Sequence, residues 1–232
     1  MIRFDIITIF PDIFQSYFSE SIIKRAQQKK LVKINIHNLR DFTNDIHKTV
    51  DDRPYGGGPG MILKVEPICK AVQFLRNKEL RIKNKKQKHK NKKTKVILFS
   101  VKGKKFNQQM AQSFSKFNQL ILICGRYEGV DERVARHIAD MEVSVGDYVL
   151  TGGELAAMVL IDVVSRHIPD VLGKLESLEE KRLGPGVPVY TRPEVFTYKK
   201  RKYRAPKVLL SGHHKKIEDW RKKHIKSIEN PS

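Results

Sequence analysis

The sequence predicts an α/β fold built on a largely parallel sheet, and three observations carry that expectation. Runs at 2–10, 95–101 and 119–124 are short and mostly apolar, as strands buried on both faces are. Helical patterns separate them, and strand–helix alternation favours parallel pairing. Two strands end in glycine-bearing loops within the stretch 122–160, LICGRYEGVDERVARHIADMEVSVGDYVLTGGELAAMVL. Ligands of open α/β sheets sit beyond the carboxyl ends of strands, so a small-molecule pocket is expected there.

The elements follow in order. A strand spans 2–10, and Pro11-Asp12 opens a helix, because proline suits a first turn. A second helical piece covers 19–29, with Ile22, Ile23 and Ala26 to one side. Val32, Ile34 and Ile36 alternate with polar residues and predict a half-buried strand. The long connection 38–60 is functional or disordered by its length, and Phe42, Ile46, Val50 and Tyr55 argue against disorder. Pro67 opens a helix to about residue 77. The block 76–95 holds eleven Lys/Arg against one Glu, and self-repulsion predicts a mobile loop. It is either a solvated insertion or an arm that adds phosphate affinity.

The strand 95–101 ends at Gly103, and a helix 107–116 and a strand 119–124 follow. After Gly125 comes a polar loop to Gly129. Asp131 is placed to cap a helix over 131–139, and a strand 141–145 breaks at Gly146. The loop from Asp147 to Gly153 leads into an apolar helix opened by Glu154. From 173 to 192 the pattern dissolves into Gly, Pro and charge, a linker or a loop that grips the substrate. The tail 193–232 carries twelve Lys/Arg within 199–226, a turn at Ser211-Gly212 and a helix 213–226 with Ile217, Trp220 and His224. A main domain 1–172, a linker 173–192 and a small helical domain 193–232 are expected.

With 232 residues, 40% of them hydrophobic, the chain can bury a sizeable core. A formal charge of +21, from 46 basic and 25 acidic residues, points to a polyanionic partner, foremost a nucleic acid. Cys69 and Cys124 lack metal-ligand spacing and read as reduced thiols of a cytoplasmic protein. No apolar run approaches a membrane span, and no signal-peptide layout opens the chain. Dinucleotide, P-loop, H-E-x-x-H, C-x-x-C and G-x-S-x-G motifs are absent, so no metal site or serine nucleophile is assigned.

Five segments carry a more specific signal: DDRPYGGGPGM (51–61), CGRYEGVDER (124–133), SVGDYVLTGGELAAM (144–158), YTRP (190–193) and VLLSGHHKKIEDWR (208–221). In this order they resemble the bacterial tRNA (guanine-N1)-methyltransferase (TrmD) family of the SPOUT superfamily, over nearly the whole chain apart from 76–95. The resemblance implies a deep C-terminal trefoil knot holding S-adenosylmethionine, with Mg²⁺ as an optional auxiliary ion. It also implies a homodimer with an active site shared between subunits, and methylation of tRNA at the guanosine 3′ of the anticodon. Leu98, Phe99 and Ser100 then flank the adenosine. Gly125, Tyr127 and Glu128 form one wall. Val145, Gly146, Asp147, Tyr148, Val149 and Leu150 wrap the adenine, while Gly152 and Gly153 make the tight turn. His47, Asp51, Gly60 and Ser177 are expected on the substrate side. At the family's Ser-Pro-x-Gly this chain reads Ser100-Val101-Lys102-Gly103, which should soften that loop.

Methylating guanine N1 requires a base for its proton, a cation facing O6 and an aligned methyl carbon. The resemblance assigns the cation to Arg166. The family's aspartate base, fifteen residues further on, is Lys181 here. Glu180 is the expected substitute and Glu179 the second choice; otherwise the base lies elsewhere or activity is lost. An RNA-binding protein without catalysis, or a SPOUT enzyme with another RNA target, are the alternatives.

Overall fold

The computed structural model describes residues 1–83, 93–172 and 186–224. Its contacts divide the chain into two units, Met1–Val171 and Leu172–Ser232.

The first unit is built on five parallel strands: β1 (Ile2–Thr8), β2 (Val32–Asn38), β5 (Thr94–Lys105), β6 (Gln119–Ile123) and β7 (Met141–Ser144), in the order β2-β1-β6-β5-β7. Every residue of β6 is buried, which is why its sequence from Leu120 onwards is an unbroken apolar run rather than an alternation. Alternate residues of the central strands face two separate apolar layers. Phe4, Ile6, Ile97, Leu120 and Leu122 pack with α2 (Ser21–Gln28), α4 (Gln108–Phe114) and α6 (Glu154–Arg166). Ile7, Val96, Leu98, Ile121 and Ile123 pack with α3 (Val65–Lys83) and, through Val134, with α5 (Glu132–His137). The result is an α/β sandwich of helices on both faces of the sheet. Among the described residues, no helix is long and apolar enough to cross a membrane.

One charge lies inside this sheet. Asp5 of β1 is 1% exposed and accepts hydrogen bonds from Asn35 Nδ2 (2.8 Å), His37 Nε2 (3.0 Å), Gln119 Nε2 (2.7 Å) and Arg3 Nε (2.7 Å). Burial alone would raise its pKa. The bonds from His37, Asn35 and Gln119 and the Arg3 charge outweigh burial and hold it at about 2, against an ordinary 3.8.

Caps match the chemistry of their residues. Asn107 and Asp131 accept from the backbone N–H groups of Met110 and Arg133 and start α4 and α5. The segment after β1 is a 3-10 turn, Pro11–Phe14, running into a short helix α1 (Gln15–Phe18).

Three expectations need correction. The helix expected from Pro67 to about 77 begins at Val65 and runs to Lys83, so 76–83 is helix and not loop. Lys and Arg are good helix formers, and a charge run does not by itself end a helix. The remainder of that block, 84–92, lies outside the described residues. The strand expected to stop near 101 continues to Lys105, with a register shift between Phe99 and Lys104 before it pairs again with Val143 and Ser144. Within the long connection, β3 (Asp51–Asp52) and β4 (Ile62–Leu63) form a small antiparallel ladder.

The second unit holds a β-hairpin absent from the sequence-based expectation, β8 (Val195–Tyr198) with β9 (Arg201–Arg204). Short helices α7 (Lys207–Leu210) and α8 (His214–Lys223) follow it. Trp220 is half-buried, edge-on to Tyr190 and stacked on His224 at 4.1 Å between centroids.

Candidate functional site

A cavity of about 420 Å³ opens at the carboxyl ends of β5, β6 and β7. Its volume falls within the range of small-ligand pockets, roughly 300–1,000 Å³. Three chain segments make the walls: 98–102, 125–130 and 142–153. Leu98, Phe99 and Ala156 give an apolar floor, and Val145, Val149 and Leu150 an apolar side. Leu98, Phe99, Ser100, Gly125, Tyr127, Glu128, Val145, Gly146, Tyr148, Val149, Leu150, Gly152 and Gly153 all line it. Asp147 does not. Its carboxylate turns outward to pair with Lys105, so the expected wrap of 145–150 is broken at that side chain.

The walls are tied by backbone pairing. Gly153 N–H donates to Gly125 C=O at 2.9 Å, and Arg126 bridges Gly152 in antiparallel fashion. A β-carbon at Gly153 would stand 2.7 Å from Cys124 Cα, so glycine is what allows this approach. Tyr127 adopts φ +59, a left-handed conformation unusual for an aromatic residue, in the turn closed by Gly129 N–H on Arg126 C=O.

The sequence reading missed the charge pair behind these loops. Glu154 is 1% exposed and accepts from Arg126 Nε (2.9 Å) and Thr8 Oγ1 (2.8 Å). Arg126 also donates to Thr151 C=O at 3.2 Å and stacks over the Phe10 ring at 4.7 Å. A charged residue opening a strongly apolar helix was the available signal. Burial drives the Cys124 thiol beneath them well above its usual range, which leaves it inert.

At the rim, Lys102 Nζ meets Glu132 at 2.9 Å, and the bonds from Lys102 and Arg136 hold the Glu132 carboxyl below its usual range. Both groups are exposed, so the pair adds little to stability.

The long connection docks against the same loops. Glu128 N–H donates to Met61 C=O, Leu63 N–H to Gly129 C=O, and Asp131 N–H to Leu63 C=O. Gly60, at φ +83, abuts the Glu128 side chain, where a β-carbon would lie 2.5 Å from its Cγ. Gly60 therefore adjoins the cavity. Asp51 sits half-buried in β3, and His47 is exposed in the preceding loop. Arg166 is not on the cavity wall: it ends α6, about 15 Å along the helix axis from Ala156, which lines the cavity. Ser177, Glu179, Glu180 and Lys181 lie outside the described residues.

A parallel α/β core with a glycine-walled cavity at its strand ends defines a small-ligand-binding α/β protein. The family model described as "tRNA (Guanine-1)-methyltransferase TrmD" matches residues 2–230, and the chain belongs to that family. A tRNA (guanine-N(1)-)-methyltransferase of Dictyoglomus turgidum is 51% identical over 226 residues, 96% of this chain and 84% of that one. One from Dehalococcoides mccartyi is 50% identical over 224 residues, covering 95% and 84%. The crystal structure of tRNA (m1G37) methyltransferase from Aquifex aeolicus superposes with a TM-score of 0.74 at 41% identity, over 96% of this chain and 88% of the other.

Proposed function

We propose that this protein transfers the methyl group of S-adenosylmethionine to guanine N1 in tRNA, at the guanosine just 3′ of the anticodon. The observation that carries the reading is the cavity at the strand ends, whose walls are the segments that resemble the family. Its apolar floor and glycine-permitted backbone approach suit an adenosine. When bound, the cofactor supplies an electrophilic methyl group. Leu98, Phe99, Val145, Val149 and Leu150 would hold the adenine, and Tyr127 and Glu128 would stand towards the methionine portion. Among the described residues no group of three or more His, Cys, Asp or Glu could hold a metal ion, and no step is assigned to Mg²⁺.

Arg166 takes the role of the cation facing guanine O6, where charge gathers. Its distance from the cavity of its own chain is the argument for a homodimer, in which Arg166 of the partner subunit completes each site. An exposed apolar face supports that assembly. Leu155 and Val159 of α6 are 52% and 45% exposed, and Phe10, Ile13 and Tyr17 from the segment against α6 are 40–45% exposed. Glu180 is the assigned proton acceptor, with Glu179 as the second choice. The trefoil knot is supported by the path of the chain after β7, which returns to the end of β6 before α6 runs on under β1. Residues 1–172 form the knotted catalytic domain, 173–192 the linker and 193–232 a basic tRNA-binding domain, in a cytoplasmic enzyme.

Single-turnover methylation of a tRNA transcript tests the reading, with the modified nucleotide mapped by mass spectrometry. Wild type yields N1-methylguanosine beside the anticodon, and Glu180→Gln slows the step by about 10²-fold or more. Lys181 at the expected aspartate position favours one rival, an RNA binder without catalysis. Cofactor and tRNA binding with no methyl transfer by wild type would establish that rival.

A further inference from the structure

The hairpin of the second unit carries an unusual combination of groups. Its ten residues, VFTYKKRKYR, hold five cations, three aromatic side chains and no acid. The pairing register sets Phe196 against Tyr203 and Tyr198 against Arg201. Side chains alternate along a strand, so Phe196, Tyr198, Tyr203 and Arg201 share one face. The three rings are 57%, 54% and 51% exposed. Phe196 and Tyr198 lie with planes within 10° and centroids 6.3 Å apart, and Lys199 Nζ stands 5.5 Å from the centre of the Tyr198 ring.

The turn adds a second, independent observation. Lys199 and Lys200 both take positive φ, at +46 and +59. Two-residue hairpin turns of this kind favour Asn and Gly, which tolerate the conformation. Two lysines are a poor choice for folding. They set two ammonium groups at the tip, and a local rule broken without structural gain points to function.

We propose that this face is a stacking platform for unpaired nucleotides of the RNA substrate. The inference rests on the tRNA reading above and names where the small unit grips. Aromatic residues at i and i+2 of one strand and at the cross-strand partner can stack successive bases, as sheet-based RNA readers do. Arg201 on the same face, with Lys199 and Lys200 at the turn, pairs with the phosphates between those bases. The absence of any acid in 195–204 is the complement of a polyanion. Base-paired stems offer no open base faces, so the platform selects loops over stems.

Full-length wild type, Phe196→Ala/Tyr203→Ala, Phe196→Tyr/Tyr203→Phe and Lys199→Ser/Lys200→Ser are titrated with a tRNA transcript and with an RNA duplex, across a salt series. S-adenosylmethionine affinity and solution mass are measured alongside. The alanine pair should lose tRNA affinity about ten-fold or more, with the salt slope and duplex affinity unchanged. The aromatic swap should retain wild-type affinity. The serine pair should reduce the salt slope by about 1.5. Unchanged tRNA affinity in an alanine variant that still binds the methyl donor overturns the proposal. Equal losses on tRNA and duplex also overturn it, as does a change in solution mass, which would make the face a contact between copies. If wild type binds tRNA and the alanine pair does too, only the platform falls. If wild type binds no tRNA, the methyltransferase reading falls with it.

Discussion

Glu154 accepts a hydrogen bond from Arg126 at 2.9 Å, and this buried pair joins the loop after β6 to the first turn of α6. Two walls of the cavity thus depend on one charge pair. Glu154→Gln keeps the shape and removes the charge, leaving the mostly buried Arg126 uncompensated. Removing one partner of such a pair costs about 3 kcal/mol or more. A marked fall in Tm and weaker methyl-donor binding are expected, by thermal melts with and without donor. An unchanged melt would show that the pair carries no such weight.

Gly153→Ala addresses the same turn by sterics. The added β-carbon meets Cys124 Cα at 2.7 Å and Gly125 N at 3.1 Å, backbone atoms of a buried strand end that cannot yield cheaply. The 145–153 loop must shift outward. Calorimetric titration should give donor affinity reduced about ten-fold or more, which corresponds to roughly 1.4 kcal/mol. Wild-type affinity would mean that the loop adapts.

Subunit mixing tests the separation of Arg166 from the cavity. Arg166→Ala subunits keep an intact cavity, and Gly153→Ala subunits keep an intact Arg166. At limiting methyl donor each homodimer alone should be slow, the Arg166→Ala one through its missing cation and the Gly153→Ala one through its weakened donor binding. Co-refolded mixtures should recover up to one working site per heterodimer, read as methyl transfer to tRNA. Recovery no greater than the sum of the parents would place Arg166 and the cavity in one subunit's site.

Asp5 makes stability depend on acid. Its folded-state pKa of about 2 lies below the unfolded 3.8, so its contribution is fully present above pH 4 and lost as pH falls towards 2. The shift corresponds to roughly 2 kcal/mol at neutral pH. Asp5→Asn should lower unfolding free energy by about that amount at pH 7, and flatten its decline between pH 4 and 2. Urea unfolding at a series of pH values measures both. An undiminished acid decline in the variant would assign it to other carboxyl groups.

Local chemistry made much of this molecule legible in advance. β6 was readable because its residues are all buried and the apolar run from Leu120 has no break. The three cavity segments were readable because each is a glycine-bearing loop closing such a strand. The second half of β5 was not, since Lys102, Lys104 and Lys105 carry no hydrophobic period. Only the return to Val143 and Ser144 makes that stretch a strand. The hairpin was hidden for a related reason: its Lys-Lys turn lacks the Asn-Gly signal. The Lys/Arg run after residue 75 was read as a loop, although its first eight residues are helix.

The parallel α/β core, the order of its strands along the chain, the loops that wall the cavity and the family to which the chain belongs are all written in the residues. Those properties follow from hydrophobic runs and motifs confined to neighbouring residues. Tertiary structure alone decided that Thr8, Arg126 and Glu154 share one buried cluster although 146 and 28 residues separate the bonded pairs. It also decided that Arg166 stands nearly three helical turns from the cavity, because α6 is a rigid rod with Ala156 at the ligand wall. Contacts across such sequence distances are set by how strands pair and helices pack, and no local pattern records them.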